Sequence, residues 1–311
     1  MEMLDLQCHP DGGYVHNRCS ILKEGDIIMT AVSSLNIIES TCYEPWEVQI
    51  EPFAVTDQIF YVGNKWVGAY LIDTGDGLIL LDTTTAETAY LLLNSIYKLG
   101  YRPEEIKMIL LSHAHVDHYG AARFLKELSG AEIWLSREDE EFRKTDGAAE
   151  SGGLFVPFRE YSFETDRYYD DSTPILLGNV EIRTRLTPGH TPGVTSFFIY
   201  TDDKKCGRIV SAIHGGVGVL TMSDESLDRA GLSRELRKRF IKDCHDLKDI
   251  SVDICLPSHP AHAPLFEKRE QAADGDKNPF IDRDGWARFL DDRVQYAIKL
   301  EEEADSHFEA K

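Results

Sequence analysis

The chain is short of positive charge: 33 lysines and arginines stand against 54 aspartates and glutamates in 311 residues, a net charge of −21. Such a field repels phosphate backbones and anionic lipid, which argues against nucleic-acid and membrane-surface partners. The densest basic run, Arg234–Arg239 (RELRKR), has acidic neighbours and reads as the solvated face of a helix. Small anionic substrates remain compatible, because a bound dication reverses the field locally. Long apolar runs are lacking too: no stretch of about 18 apolar residues occurs, which excludes a spanning helix. The start, MEMLDLQCHPDGG, has neither a basic segment nor an apolar one of signal-peptide type, so a cytoplasmic location is expected. Cysteine is sparse, and Cys8, Cys19, Cys42, Cys206, Cys244 and Cys255 lack disulfide-scaffold spacing; they read as reduced thiols, mostly in packing roles. Neither a long internal repeat nor a Ser/Gly linker divides the chain.

What is present is α/β patterning. Residues 1–50 alternate short apolar runs with turn residues and read as an N-terminal extension packed on the core or contributing to a homodimer contact. A loose Cys8-His9, His16, Cys19 pattern within it lacks the tight paired spacing of structural zinc sites. Residues 51–311 read as a single domain. Gln58–Val62, Val67–Asp73 and Leu78–Asp82 are predicted strands, the last two joined by the turn Thr74-Gly75-Asp76-Gly77. Thr83–Leu99 has helical periodicity and stops at Gly100. Lys107–Leu111 is the continuous apolar run of a strand covered on both faces. A helix (Ala121–Leu128) and a strand (Glu132–Leu135) follow. Residues 137–177 are polar and poorly periodic, predicting a short helix and a long loop. Strands return at Val180–Leu186, Ser196–Tyr200, Arg208–Ile213 and Asp253–Leu256, with a helix over Arg234–Leu247 and an amphipathic terminal helix over Gly285–Glu303. Each half runs strands and then helix, which suggests one domain of two similar halves.

Chemistry concentrates in Leu110–Gly120, LLSHAHVDHYG. His113, His115, Asp117 and His118 follow a buried strand, where α/β sheets commonly place their sites. Imidazole and carboxylate suit zinc, which needs three to four ligands in a tight shell. Two further histidines lie in similar places. His190 is held between two Pro-Gly turns in LTPGHTPG (Leu186–Gly193), and His259 between prolines in LPSHP (Leu256–Pro260).

Together, H-x-H-x-D-H, T-P-G-H-T-P-G and the late S-H resemble the metallo-β-lactamase superfamily over roughly residues 52–305, with Asp82 of LILLDTT at the place of the family's early strand-end aspartate. The resemblance implies an αββα sandwich: two mixed β-sheets flanked by helices. It implies two Zn2+ ions per chain, one held by His113, His115 and His190 and the other by Asp117, His118 and His259. The ligand set, with QIEPF (Gln49–Phe53), the YVG of Tyr61–Gly63 and NPFID (Asn278–Asp282), is most similar to the lactamase subclass with two histidine-rich sites. One departure matters. Many hydrolases of this superfamily carry a metal-bridging aspartate after a strand, whereas the corresponding stretch RIVSAIHGG (Arg208–Gly216) holds no carboxylate, with Ile213 or His214 in its place. The serine typical of the lactamase subclass is missing there as well.

The implied activity is hydrolysis of a small molecule, opening a cyclic amide or ester (β-lactam-like or lactone) by attack of a metal-bound hydroxide, with Asp117 as the catalytic group that aims it. A thioesterase or redox relative of the same fold is the alternative. Asp82 is expected behind the ligands, holding the motif loop or orienting an imidazole. Trp66 is a candidate flap over substrate, the alternative being a packing tryptophan. Gly215 and Gly216 are expected to let backbone N–H groups approach substrate. His214 is either a further substrate contact or a strand-end histidine bonded to a loop.

Overall fold

Leu78, Ile79, Leu80 and Leu81 are all buried, so their strand must be covered on both faces. The computed structural model, which describes residues 37–151, 162–272 and 278–309, shows how. One sheet has seven strands in chain order: β1 (Phe53–Ala54), β2 (Ile59–Tyr61), β3 (Tyr70–Asp73), β4 (Leu78–Leu81), β5 (Ile106–Leu110), β6 (Glu132–Leu135) and β7 (Arg167–Tyr168). β1 to β4 pair antiparallel, and β4 to β7 pair parallel. The second sheet comprises β8 (Ile175–Leu177), β9 (Val180–Leu186), β10 (Thr195–Asp203), β11 (Gly207–Ile213) and β12 (Ile254–Cys255), in the order β12-β11-β10-β9-β8. Its pairs are antiparallel except β11–β12.

Side-chain alternation assembles the layers. Tyr70, Ile72, Ile79 and Leu81 from the first sheet meet Ile182, Phe197, Ile199 and Ile213 from the second in a central core. The opposite faces of the same strands send Leu71, Leu78 and Leu80 against Ala89, Leu92 and Ile96 of helix Ala89–Lys98 and Leu125 of helix Ala122–Ser129. Phe198 and Ala212 pack outward on Phe240, Cys244 and Leu247 of helix Glu235–Leu247 and on the terminal helix Gly285–Glu309. The order is helix, sheet, sheet, helix: the expected αββα sandwich.

Most expected elements are present with boundaries moved by a residue or two. The strand expected over Val67–Asp73 begins at Tyr70, the one expected over Ser196–Tyr200 runs on to Asp203 and the terminal helix runs on to Glu309, while the expected helix Thr83–Leu99 differs in its start. It begins at Ala89, after a 3-10 turn at Ala86–Thr88. Asp82 and Thr84 take φ of 60° and 61°, a left-handed conformation unusual for side-chain-bearing residues. Their neighbours are bound elsewhere: Asp82 N–H donates to Leu110 O at 2.9 Å, and Thr83 N–H to His118 O at 2.8 Å. Tertiary pairing overrides helical periodicity there. Between residues 137 and 177 there are two short helices, Arg137–Phe142 and Asp146–Ser151, and the strands β7 and β8, too short to register as patterns. Gly152 and Gly153 lie outside the described residues.

Residues 1–36 of the expected extension, with Cys8, His9, His16 and Cys19, also lie outside the described residues. Within 37–50, Val48 is buried and its carbonyl accepts from Lys65 N–H at 2.9 Å. No helix among the described residues is long and apolar enough to cross a membrane.

The terminal helix docks through Trp286, whose indole N–H donates to Leu247 O at 3.0 Å while its ring meets Phe198 edge-on. Trp286→Ala is expected to cost about 3–5 kcal/mol in urea unfolding. Tyr296→Ala, at a 39% exposed position on the same helix, is expected to change stability by less than about 1 kcal/mol.

Candidate metal centre

Three connections from both sheets meet at one edge of the sandwich. Strands β4 and β5 run parallel with Leu81 opposite Leu110, so Asp82 and the segment Ser112–His118 leave the sheet side by side. The β9–β10 loop presents His190 and is closed at its base by Thr187 N–H donating to Val194 O at 2.8 Å. It is tied to the motif by Thr195 N–H, which donates to Ser112 O at 2.9 Å. His259 follows β12, and Gly68 N–H in the β2–β3 connection donates to Ser258 O at 2.7 Å.

Two triads result, His113/His115/His190 and Asp117/His118/His259, and within each the ligating atoms lie within 4.8 Å of one another. His115 Nδ1 is 2.9 Å from His190 Nε2, and His118 Nε2 is 3.2 Å from His259 Nε2. Asp117 Oδ2 stands 3.4 Å from each of the latter two nitrogens.

The far sides of the rings decide what these contacts mean. His118 Nδ1 lies 2.8 Å from Asp82 Oδ2, His259 Nδ1 2.8 Å from Trp66 O, and His190 Nδ1 2.7 Å from Gly218 O. All three partners are acceptors, so each Nδ1 carries hydrogen and, in the neutral ring, each Nε2 carries a lone pair. Ser112 Oγ donates to Asp82 Oδ2 at 2.8 Å and therefore accepts from His113 Nδ1 at 3.0 Å, which fixes that ring in the same tautomer. His113 Nε2 is buried without a hydrogen-bond partner. In the Asp117/His118/His259 triad two lone pairs thus face each other across 3.2 Å with no proton between the neutral rings, and in the other triad His113 and His190 turn bare Nε2 atoms inward. A cation among them removes both the repulsion and the unsatisfied nitrogen, so the donor set fits a metal in each triad, with imidazole and carboxylate ligands of the kind zinc takes.

Ionisation follows the same logic. Burial and the neighbouring imidazoles hold His113 and His190 well below the usual histidine range, and burial brings His115 down to about 4. These rings are neutral, and open to a metal, at physiological pH. His118 moves the other way: burial opposes its charge, but Asp117 and Asp82 outweigh that and raise it. For Asp117, burial favours the neutral acid, yet His118, His259 and His115 together hold the carboxyl below its ordinary value, so it is ionised.

All six expected ligands are brought together, and Asp82 stands behind them as expected, accepting from Ser112 N–H, Ser112 Oγ and His118 Nδ1 at 2.8 Å each. Trp66 is half-buried with its ring centroid 5.8 Å from that of His259. Its backbone carbonyl is the acceptor that orients His259.

The other three expected contacts lie behind the site. Gly215 and Gly216 are buried, and what approaches them closely is protein: a Cβ at Gly215 would lie 2.9 Å from Ser112 Cβ, and one at Gly216 2.8 Å from His190 Cδ2. These glycines make room for Ser112 and His190. His214 is fully buried, packed edge-on to Phe240 and accepting from Gly216 N–H at 3.4 Å, with burial lowering it to about 3. It is the strand-end histidine bonded to a loop. Ile213 closes β11 as a buried apolar residue, so Asp117 is the sole carboxylate of the two triads. Ser112 and Thr221 were not singled out from sequence. Ser112 sits beside the motif, but Thr221, 2.7 Å from His190 Nδ1, comes from a 3-10 turn with no motif of its own.

Asp82→Asn keeps the shape but places an amide against donors it cannot all accept from. Metal affinity, read by competition with a chromogenic chelator, is expected to fall about 10- to 100-fold.

A family model described as the metallo-beta-lactamase superfamily matches residues 67–207. Hydroxyacylglutathione hydrolase GloC of Haemophilus influenzae is 33% identical over 115 residues, covering 36% of this chain and 53% of that protein. The N-acyl homoserine lactonase AiiA of Bacillus thuringiensis subsp. kurstaki is 26% identical over 212 residues, covering 58% of this chain and 75% of the lactonase. The chain spans about half the length of the first curated relatives it matches. Among solved structures, BJP-1, a subclass B3 metallo-beta-lactamase of Bradyrhizobium japonicum, superposes with a TM-score of 0.68 at 26% identity, covering 85% of this chain and 96% of the other. Residues 67–207 thus match the metallo-β-lactamase superfamily, and the sheet architecture and ligand spacing are those of the metallo-β-lactamase fold.

Proposed function

We propose that the chain is a dinuclear zinc hydrolase that opens a cyclic amide or ester of a small molecule, a β-lactam or a lactone. The observation that carries this reading is the single ionised carboxylate, Asp117, set among five buried or nearly buried imidazoles, four of them with tautomers fixed from behind. Two zinc ions held by the triads would polarise a substrate carbonyl and make water nucleophilic at neutral pH. The rest is the work of this chain's own residues. Asp117, held ionised, can accept a proton from the attacking water and orient it. Ser112 and Asp82 keep His113 and His118 from rotating, so orientation is set before substrate arrives. The Trp66 ring beside His259 offers an apolar face to cover substrate and exclude water. The net charge of −21 supports a small-molecule substrate over a nucleic acid.

The missing strand-end carboxylate at Ile213 and the likeness to a subclass B3 enzyme support an amide or ester over a thioester. The similarity to a hydroxyacylglutathione hydrolase makes the thioester the comparison to run. Nitrocefin, an N-acyl homoserine lactone and a hydroxyacylglutathione are to be assayed with and without added zinc. Turnover of one of the first two is expected, falling about 100-fold or more in Asp117→Ala. Turnover of the thioester alone would transfer the site to thioesterase chemistry, and zinc-independent turnover would remove the metal from the reaction.

Metal loading should also depend on pH with a definite sign. A proton on a ligand nitrogen excludes the metal, and His118 is the ligand histidine whose proton is held more tightly than usual, while His113, His115 and His190 release theirs early. As pH falls from about 7.5 to about 5.5, bound zinc is expected to drop from near two to near one per chain, with the Asp117/His118/His259 triad emptying first. Equilibrium dialysis with elemental analysis reads this directly.

A further inference from the structure

Asp82 lies behind His118 directly and behind His113 through Ser112, but it bonds neither the backbone beside His115 nor the His190 turn. A second buried carboxylate occupies that position. Asp139, in the first turn of helix Arg137–Phe142, is 0% exposed. Its Oδ2 accepts from Ala114 N–H at 2.7 Å and from Thr191 Oγ1 at 2.7 Å, and its Oδ1 accepts from Gly193 N–H at 2.7 Å. Ala114 lies between His113 and His115, and Thr191 and Gly193 follow His190. One carboxylate therefore bonds both chain segments that supply the first triad, at Ala114 in one and at Thr191 and Gly193 in the other, and it bonds neither the helical turn Val116–Tyr119 that carries Asp117 and His118 nor the segment that carries His259.

The surroundings are built to this contact. A Cβ at Gly193 would lie 2.1 Å from Ser136 Oγ and 2.4 Å from Asp139 N, so only glycine lets the His190 turn come this close. Ser136 Oγ accepts from Asp139 N–H at 3.1 Å and fixes the helix start that carries the carboxylate. All three donors to Asp139 are neutral, and burial pushes its carboxyl up to about 6. A buried carboxylate without a cationic partner is costly, and apolar packing would hold two loops together at lower cost. What a carboxylate adds is direction, because two oxygens fix three donors on two segments in one geometry.

We propose that Asp139 is the positioning residue of the His113/His115/His190 triad, setting the separation of His115 and His190 and thereby the metal affinity of that triad selectively. The proposal rests on the metal-centre reading above. An asparagine offers one acceptor oxygen and turns an amide N–H towards the remaining donors, so Asp139→Asn breaks the bridge on one side. Thr191→Val removes one hydrogen bond at nearly constant shape, and Thr191→Ser restores the hydroxyl.

The test is zinc binding by chelator competition in two backgrounds: His259→Ala, which leaves the first triad, and His190→Ala, which leaves the second. In the first background Asp139→Asn is expected to weaken zinc at least about 10-fold and Thr191→Val about 3- to 10-fold, with Thr191→Ser close to the parent. In the second, all three variants are expected to stay within about 3-fold. Thermal unfolding of the metal-free variants separates folding from positioning, since a purely structural role lowers stability and weakens both triads alike. Equal weakening of both triads, or no weakening of the first by Asp139→Asn or Thr191→Val, overturns the proposal. A parent chain that takes up no zinc at either triad overturns the metal-centre reading and this inference with it.

Discussion

Imidazole lone pairs forced to face one another are the constraint on which the rest of this structure depends. Each of four rings hands its Nδ1 hydrogen to a fixed acceptor, Asp82, Trp66 O, Gly218 O or Ser112 Oγ, and is left with a bare Nε2 pointing inward. Such an arrangement is unfavourable without a cation and strongly favourable with one, so binding energy is stored in the orientation of the ligands before the metal arrives. The orientation has its own cost in the left-handed backbone at Asp82 and Thr84, which the adjoining hydrogen bonds to Leu110 and His118 sustain.

The same constraint explains why the elements behind the site are so closely packed. Gly216 and Gly218 approach the His190 ring where any side chain would collide with it. Ser112 lies against Gly215 and under Asp82 at once. A ligand ring gripped from behind cannot swing away, and the open side of the cluster is left to Asp117, to the half-buried Trp66 and to whatever substrate enters. With Ile213 where many relatives carry an acid, Asp117 supplies the only negative charge among the ligands, leaving the paired sites more electropositive than a cluster with a bridging carboxylate.

Much of this was legible in the sequence, for identifiable reasons. Continuous apolar runs such as LILL and IKMIL mark strands covered on both faces, and the spacing of HAHVDH, His190 and His259 marks the ligands, because metal chemistry restricts both residue type and position. The strands β1, β7 and β8 were not legible, being two or three residues long and held by their partners rather than by any pattern of their own. His214, Gly215 and Gly216 follow a strand end just as the ligands do, and nothing local distinguishes a residue that faces the cluster from one that backs it. His214 packs on Phe240 of helix Glu235–Leu247, and the two glycines lie against Ser112 and His190.

Ligand identity, the alternation that builds two sheets, and the absence of a bridging acid were thus determined by sequence alone, since each depends on residue type at short spacing. Tertiary structure decided which histidine nitrogens face inward, which carboxylates stand behind which triad, and where the helix after β4 begins. Those outcomes depend on hydrogen bonds between segments far apart in the chain, His118 with Asp82, His259 with Trp66, Asp139 with Thr191. No local pattern encodes the partner of a buried acceptor, because its identity is fixed only when the two sheets close on each other.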